Sequence, residues 1–324
     1  MAHENGHGLD RRGFLRAGAL ATAAMVGGAR TLHAAPAGPT VVIVRDKTKK
    51  VVDGQSVDAA ITQSLVDKAV MTLAGKDDIA KAWAAYVTPK DKVAVKFNGL
   101  FAKSTTRPEV VAAVTSGLLK AGVDPANIVV YDRDDRAFAT AGFKVNRDGD
   151  GPRAYPTGKD YGPEVQAGPI ATRITNILHN ATVLINVPMM KSHVLSGISG
   201  ALKNHLGTVP NASAFHKDTC VHIGDLNALE PIKAKTRICI CDALSANYHK
   251  GPQFSAQGRW DYYGILAAID PLAMDATLAD LIKGKRVQEG LPPYLKPLRH
   301  IERAAELGVG VADLAKINRV ELEI

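Results

Sequence analysis

The sequence predicts an α/β protein with a mostly parallel sheet flanked by helices. Short apolar runs rich in β-branched residues alternate along the chain with segments whose apolar residues recur at three- and four-residue steps. Polar turns containing Gly, Asn or Asp follow several of the apolar runs. Strands that alternate with helices are typical of a parallel sheet covered by helices. Apolar residues make up 46% of the chain, which is enough for a large core.

Each element follows from the local pattern, in chain order. A helix is predicted over 57–73 because its apolar residues share one helical face, and a second over 107–121 because Pro108 suits a first turn and Gly122 follows the end. Residues 144–169 are polar and interrupted by Gly and Pro, which predicts a long surface excursion and makes it a candidate lid. The predicted strands are 40–45, 92–97, 127–131, 182–187, 237–241, 265–269 and 320–324, and the remaining helices are 170–180, 198–206, 271–283 and 298–307.

Residues 1–35 have the layout of a twin-arginine signal peptide. Arg11 and Arg12 are followed by Phe-Leu, an apolar run over 17–28 and small residues around Ala35. The run is shorter than the roughly 20 residues that span a membrane, so no permanent span is expected. The signal predicts export through the twin-arginine translocase to a periplasmic or secreted location. Residues 36–324 would then form a single α/β domain, or two lobes in close contact.

Charge and cysteine content restrict the class of ligand. The chain carries a net charge of +8, and residues 1–35 contain four Arg and two acidic residues, so the remainder carries +6. There is no Lys/Arg block with interleaved aromatic residues, so nucleic acid is not an expected partner, and a small anionic molecule is. Three cysteines are too few for a disulfide framework. Cys239 and Cys241 would share one face of a strand, either as buried core residues or as a metal or redox pair.

The richest candidate site follows the strand predicted at 182–187. Lys191, Ser192 and His193 lie at its carboxyl end, where open α/β sheets bind ligands. Free N–H groups at a helix start favour anions, which suggests a site for a cofactor or a second negative group. The residues predicted to bind it are Ser199, Gly200, Lys203 and Asn204. The alternative is that Lys191 and Lys203 are solvated and that His193 is a hydrogen-bonded cap.

A second predicted strand also ends in polar residues that could bind a ligand. Lys96 and Asn98 end the strand at 92–97, and Thr106 is placed to cap the following helix. Arg107 is poorly placed for the helix dipole, so it is expected to face a ligand carboxylate or phosphate, which arginine binds with two hydrogen bonds. The alternative is a surface pair between Arg107 and Glu109.

Two further groups are weaker candidates. Asp132 and Asp134 follow the strand at 127–131 and are either acid/base groups or part of a salt-bridged rim. A loose metal-ligand set lies further on, although its spacing matches no strong zinc pattern. Its members are His205, His216, Cys220 and His222. Asp270 is placed to cap the helix that begins at Pro271.

Several of these motifs resemble domain-of-unknown-function family 362. The resemblance covers nearly all of residues 36–324 and rests on three motifs: Lys96-Phe97-Asn98; the run from Val187 to His193 together with Ala201 to Gly207; and Asp270 to Asp275. The activity of that family is not settled. Some members carry ferredoxin-type iron–sulfur modules, but this chain has no such cysteine array, so no cluster of its own is expected.

A more distant resemblance is to the N-terminal domain of nickel-dependent lactate racemase. The similar segments are Thr106-Arg107-Pro108 before a helix and His193 followed by Gly197, Ser199, Gly200 and Lys203. The resemblance implies that Arg107 binds a substrate carboxylate, that His193 is an acid/base and that Lys203 anchors a nucleotide-type nickel cofactor. Where the racemase has a second catalytic histidine, this chain has Asp132-Arg133-Asp134, which weighs against racemisation and nickel.

These observations predict an exported enzyme that acts on a small anionic substrate, such as a hydroxy or oxo acid or a phosphate-bearing molecule. Arg107 and Lys96 would hold the anion, and His193 would transfer a proton if its pKa lies near the working pH. Lys191 and Lys203 would hold a metal or nucleotide-type cofactor, or a second negative group. The alternatives are a non-catalytic ligand-binding or redox/maturation partner, and a metal-binding carrier.

Overall fold

The computed structural model describes residues 38–324, and the predicted signal peptide at 1–35 lies outside the described residues. Most strands of the described chain belong to one 11-stranded sheet. Within residues 38–324 the strands are β1 (Thr40–Arg45), β2 (Val52–Asp53), β3 (Ser56–Val57), β4 (Val93–Phe97), β5 (Ile128–Tyr131), β6 (Arg153–Ala154), β7 (Tyr161–Ala167), β8 (Ile170–Thr175), β9 (Val183–Val187), β10 (Met189–His193), β11 (Gly197–Ser199), β12 (Thr236–Asn247), β13 (Arg259–Trp260), β14 (Gly264–Ala268) and β15 (Asn318–Glu323).

The helices of the described chain flank this sheet. They are α1 (Ala59–Ala74), α2 (Ile79–Trp83), α3 (Pro108–Lys120), α4 (Asp135–Ala141), α5 (Asn176–Asn180), α6 (Ala201–Asn204), α7 (Ile223–Ala228), α8 (Glu230–Lys233), α9 (Pro271–Gln288) and α10 (Arg299–Glu306). Short 3-10 turns, including 205–208 and 212–216, connect several of them. In the part of the chain that the structure describes, no helix combines the length and the hydropathy that a membrane crossing requires.

The sheet confirms the predicted fold class. Its main path runs β15-β1-β14-β12-β9-β4-β5-β6. All neighbours on this path are parallel except β14, which is antiparallel to both β1 and β12. Parallel strands need crossover connections, and α3 supplies the crossover from β4 to β5. The carboxyl ends of β4, β5 and β9 therefore lie side by side.

Two apolar cores cover the two faces of the sheet. Along β1, Val42 and Val44 belong to one core and Val41 and Ile43 to the other, as the alternation of strand side chains requires. The first core is completed by α1, α2 and α3, and the second by α6, α7 and α9. Because both faces are covered, the central strands read as continuous apolar runs rather than as alternating patterns.

The strand β15 closes one edge of the sheet beside β1. The two strands are parallel, with Thr40 opposite Asn318, and the Asn318 amide donates to the carbonyl of Pro39. The side chains of Thr40 and Asn318 are in contact although 278 positions separate them along the chain. This edge is therefore built by one of the longest-range pairings in the fold.

The region 144–180 differs from its prediction. Residues 170–175 form strand β8 rather than the start of a helix, and they pair with β7 through a two-residue turn at Gly168 (φ 58°), a conformation that favours glycine. Ile170 and Ile174 fit a helical period, but together with Thr172 they also fit a period of two, and the β-branched side chains of all three favour the strand. The excursion at 144–169 contains β6 and β7 and lines no part of the pocket described below, and a lid role for it stays a prediction.

The segment predicted as a helix over 198–206 is also divided. Gly197–Ser199 forms β11, which is antiparallel to β10, and only Ala201–Asn204 is α-helical. The two cysteines of β12 are buried, unpaired thiols on the same side of the sheet, so Cys239 and Cys241 are core residues. Asp270 is the N-cap of α9, as predicted, and accepts from the amides of Leu272 and Ala273.

Candidate functional site

A pocket of about 360 Å³ lies at the carboxyl ends of the parallel strands. In register, Lys96 of β4 pairs with Asn186 of β9 and with Tyr131 of β5, so these strands end together. The volume is at the lower end of the range of small-molecule sites. Its lining residues are Lys96, Asn98, Leu100, Phe101, Asp132, Arg133, Ala137, Lys191, His193, Val194, Leu195, Ser199, Lys203, Asn204, Leu206, Gly207, Ala212, His216, Lys250, Gly251, Pro252 and Gln253.

The charges that line this pocket are mostly positive. Its cationic side chains outnumber its carboxylates by five to one, since Asp132 is the sole acid among the lining residues. The cations are Lys96, Arg133, Lys191, Lys203 and Lys250. A pocket of this composition favours an anionic ligand, but each cation can bind one directly only if it has N–H groups to spare.

Lys96 has no N–H group to spare. Its fully buried ammonium donates to the Phe97 carbonyl, to Asn204 Oδ1 at 3.1 Å and to Asp132 Oδ1 at 2.8 Å. Burial lowers the pKa of Lys96, and the Asp132 carboxylate opposes that shift. The pair is packed closely, because a side chain at Gly207 would overlap both partners. The predicted anion ligand Lys96 is therefore the buried partner of the predicted acid Asp132.

Lys191 is saturated in the same way. Its Nζ donates to Asn98 Oδ1 at 2.8 Å, the Ser104 carbonyl at 2.6 Å and the Leu100 carbonyl at 3.3 Å. Burial, together with its lysine neighbours, lowers the pKa of Lys191 to about 7. Three oxygen acceptors match the three N–H groups of an ammonium, so the hydrogen bonds favour the charged form and burial opposes it. Lys191 and Asn98 thus fix the loop that follows β4.

Lys203 is different because it keeps two N–H groups. Within residues 38–324 its Nζ has one hydrogen-bond partner, Nε2 of His216, at 3.0 Å. The His216 Nδ1 lies 3.0 Å from the Ala212 carbonyl, which can only accept, so the ring proton is on Nδ1 and Nε2 accepts from Lys203. Burial lowers the pKa of Lys203 to about 8, and burial with Lys203 lowers the pKa of His216 to about 4.

His193 is a neutral ring with a fixed tautomer. Its Nδ1 accepts from the amide of Leu195 at 3.1 Å, so the ring proton is on Nε2. Burial, and then the charge of Lys203, lowers the pKa of His193 to about 2. The ring stacks on His216 with centroids 5.9 Å apart. His193 therefore presents an N–H donor, and its pKa lies far from the neutral value that the sequence argument required for proton transfer.

The predicted cofactor residues separate into two groups. Ser199, Lys203 and Asn204 line the pocket, but the Asn204 amide is already hydrogen-bonded to Lys96, Asn98 and Asn186. The helix start at Gly200 already holds an internal anion, since Asp275 accepts from the amides of Ala201 and Leu202 and a side chain at Gly200 would overlap its carboxylate. Burial raises the pKa of Asp275 to about 7.

Arg107 and Thr106 do not face the pocket. Arg107 Nη1 is 2.9 Å from Asp242 Oδ1, and its backbone amide donates to Oδ2 of the same fully buried carboxylate. The expected ligand carboxylate is therefore supplied by the protein itself. Thr106 Oγ1 donates to the Val187 carbonyl and accepts from the Asn98 amide, so it ties β4 to β9 instead of capping α3, whose N-cap is Arg107.

Ser192 and Asp134 also make contacts that stabilise the fold. The Ser192 hydroxyl is 3.1 Å from Asn247 Oδ1 and accepts from the Gly251 amide, which anchors the loop after β12. Asp134 is the N-cap of α4 and pairs with Arg133. Neither residue lines the pocket.

The predicted metal set is not assembled. No group of three or more metal-ligating side chains occurs within residues 38–324. His205 is buried between Asn186 and Thr208, His222 pairs with Asp225, and the Cys220 thiol is directed toward the His216 carbonyl. Each potential ligand is engaged locally, because residues close in sequence here belong to separate short helices.

Three residues of interest were not singled out by the sequence argument. Arg133 and Lys250 line the pocket, and Lys250 lies in a polar turn after β12, the same signal that identified Lys96 and Lys191. His300 of α10 is fully buried, and neither ring nitrogen has a hydrogen-bond partner in the described chain. Burial, and then the charge of Lys203, lowers the pKa of His300 to about 3. The sequence offers no signal for His300.

The family model described as "Domain of unknown function (DUF362)" matches residues 93–280, which contain β4, β5, β9 and every residue that lines the pocket. The chain belongs to this family. Among curated proteins, a thylakoid-associated protein of Synechocystis sp. is 28% identical to this DUF362 member over 218 residues. The alignment covers 61% of this chain and 65% of that protein, which is less than two thirds of its length.

Proposed function

We propose that this DUF362 member binds a small organic anion in its basic pocket and transfers a proton to or from it. The observation that carries the proposal is the contact between buried Lys203 and half-buried His216, which within residues 38–324 leaves two N–H groups of Lys203 unused and places the ring lone pair of His216 beside them. Lys203 would bind the anion, and His193 Nε2 would donate a second hydrogen bond. Lys96 and Lys191 would contribute positive potential without direct contact.

Anion binding would also create the proton acceptor that the transfer step requires. An anion that draws Lys203 away from His216 leaves His216 Nε2 free to accept a proton from the bound molecule. The negative charge also raises the pKa of Lys203 from its value of about 8, because it favours the protonated form, while His216, with a pKa of about 4, stays the unprotonated base. Binding is therefore expected to take up protons from solvent. Hydroxy acids, oxo acids and phosphate-bearing acids are the substrate class, and cofactor binding by Ser199 and Lys203 stays a prediction.

The test measures binding and chemistry separately on the full-length chain. Calorimetric titration with lactate, pyruvate and phosphate in buffers of different ionisation enthalpy measures both affinity and proton uptake. Lys203→Met is expected to weaken binding at least about tenfold, the loss of roughly one charge-assisted contact. Lys217→Met is the matched control, because Lys217 is exposed and follows the 3-10 turn at 212–216 that carries His216. Equal affinity of both variants for every probe would refute the proposal.

Proton transfer is measured by exchange of carbon-bound hydrogen in D₂O. Proton NMR of lactate and pyruvate incubated with the protein is expected to show catalysed loss of the signal next to the carbonyl or carboxyl carbon. His216→Phe should abolish this exchange while retaining most of the binding. The low pKa values of His193 and His216 favour a second candidate, a binding protein without turnover, and that candidate predicts binding with no exchange in the unmodified protein.

We also propose that residues 1–35 direct export by the twin-arginine pathway. The support is the Arg11-Arg12 pair followed by a short apolar run. Fusion of residues 1–35 to a folded fluorescent reporter should place the reporter outside the cytoplasm, and the double variant Arg11→Lys/Arg12→Lys should retain it inside. Export of both fusions to the same extent would argue against the assignment.

A further inference from the structure

The pocket has an apolar rim above its basic floor. Val194 and Leu195, in the turn between β10 and β11, line the pocket although their side chains are 46% and 42% exposed. Single exposed apolar residues are common, but two neighbours beside a pocket mouth are more informative. Leu100, Phe101 and Pro252 line the same pocket and extend its apolar part.

The rim is held in place by hydrogen bonds. The Val194 amide donates to the Gly251 carbonyl at 3.0 Å, and the Leu195 amide donates to His193 Nδ1. Phe101 adopts φ 75°, a conformation that bulky side chains rarely take and that concentrates at ligand-binding sites. The exposed side chains therefore belong to a fixed surface that water covers until a ligand displaces it.

We infer that the ligand is an amphipathic organic anion, with a carboxylate or phosphate on Lys203 and an aliphatic or aromatic body against Val194, Leu195 and Phe101. The inference rests on the proposed function, because the anionic group is assigned to the same Lys203. The inference adds an apolar body to the ligand, because a basic floor alone specifies only an anionic group. A hydrophilic anion such as phosphate would leave the rim wet and would bind only through its charge.

Chain length of the ligand is the variable that tests this inference. Full-length protein is titrated with acetate, butyrate, hexanoate and octanoate, which carry the same charge. Each methylene buried against the rim is expected to tighten binding about fourfold, the factor that corresponds to transfer of one CH₂ from water. The double variant Val194→Ser/Leu195→Ser should flatten this series while keeping the affinity for acetate.

The control is Leu314→Ser, which removes another exposed apolar side chain (42% exposed) away from the pocket and should leave the series unchanged. Urea unfolding midpoints confirm that all variants fold. Equal affinity for acetate and octanoate, or a chain-length series that survives the double variant, would overturn the amphipathic ligand and leave the anion site intact. Failure of every carboxylate to bind would overturn both.

Discussion

Lys191 and Lys203 are the same side chain in the same pocket, yet their hydrogen bonds assign them different roles. Lys191 donates to three protein oxygens, whereas Lys203 donates to one histidine nitrogen. An ammonium with three acceptors gains nothing by turning to a ligand, because each new hydrogen bond would replace an existing one. The number of unused N–H groups, rather than charge alone, distinguishes the proposed binding residue Lys203 from the structural Lys191.

Arg107 provides a residue-scale prediction. Arg107→Ala should lower the free energy of unfolding by about 3 kcal/mol, because it leaves the buried carboxylate of Asp242 without its cation. Anion affinity should be unchanged, since Arg107 does not line the pocket. Urea unfolding and calorimetry measure the two effects, and Arg136→Ala is the control at an exposed arginine. Loss of anion binding without loss of stability would restore the ligand-binding role to Arg107.

His300 gives a second prediction at this scale. Its ring is fully buried with both nitrogens unpaired in the described chain, and a buried polar group without a partner costs about 1–3 kcal/mol. His300→Leu should therefore raise the free energy of unfolding by roughly 1 kcal/mol, measured by urea titration. A decrease in stability instead would mean that the ring is hydrogen-bonded in solution, for example to buried water. His222→Leu, at a histidine paired with Asp225, is expected to have the opposite sign.

At the scale of elements, the loop after β4 depends on a lysine from another strand. Lys191 of β10 donates to the carbonyls of Leu100 and Ser104, and it is the shared anchor of both ends of this loop. A loop that contains Phe101 and Lys103 at positive φ would otherwise relax. The basic floor and the apolar rim are thus connected through one side chain.

This connection predicts a change in dynamics. Lys191→Met keeps the length of the side chain but removes its three N–H groups, so amides of residues 99–105 should exchange with deuterium at least about tenfold faster, which corresponds to roughly 1.4 kcal/mol of lost local stability. Hydrogen-exchange mass spectrometry measures this, with Lys103→Met, at an exposed lysine of the same loop, as the control. Identical exchange in both variants would show that the loop is held by other contacts.

The order of strands and helices was largely predictable, because strand exits and helix caps leave local signals. The strands at Thr40–Arg45 and Val93–Phe97 and the helix at Pro108–Lys120 match their predictions closely. The helix prediction is wrong for residues 170–175 because Ile170 and Ile174 fit a helical period as well as the period of two that they share with Thr172. Local pattern cannot separate two structures when the pairing partner, here β7, decides between them.

The position of the pocket could be predicted from the sequence, but the contacts that each of its residues makes could not. Lys96, Asp132, Lys191 and His193 were found because the ends of parallel strands meet. The pairing of Arg107 with Asp242 joins residues 135 positions apart, and nothing in the sequence distinguishes an arginine that binds a ligand from one that binds a buried carboxylate. The same holds for Asp275, whose carboxylate occupies the predicted anion site at Gly200.

At the scale of the whole molecule, buried histidines make the fold sensitive to acid. The pKa values of His193, His205 and His300 are lowered from 6.5 to about 2, about 3 and about 3, chiefly by burial. Between pH 6.5 and those values the unfolded chain binds protons that the folded chain does not, so stability falls as the pH falls. Asp275 acts in the opposite sense, because its pKa is raised to about 7.

The corresponding measurement is urea unfolding as a function of pH. Each buried histidine lowers the free energy of unfolding by up to about 1.4 kcal/mol per pH unit in this window, and three histidines outweigh one aspartate. Stability should also rise with pH from about 7 to about 9, because the pKa values of Lys191 and Lys203 are lowered to about 7 and about 8, whereas at higher pH the raised pKa values of Cys239 and Cys241 act in the opposite sense. A stability maximum below about pH 6 would contradict this assignment of buried neutral rings.

The pairing of β1 with β15 and β14 has a consequence for synthesis. β1 is among the first strands of the described chain to be made, yet its neighbours lie at Gly264–Ala268 and Asn318–Glu323. Ribosomes add about 5–20 residues per second, so the 278 residues between Thr40 and Asn318 take roughly 14–56 s. For most of that time, until Gly264–Ala268 has been made, the apolar strand Thr40–Arg45 has no sheet partner in the nascent chain, which favours its binding by a holding chaperone.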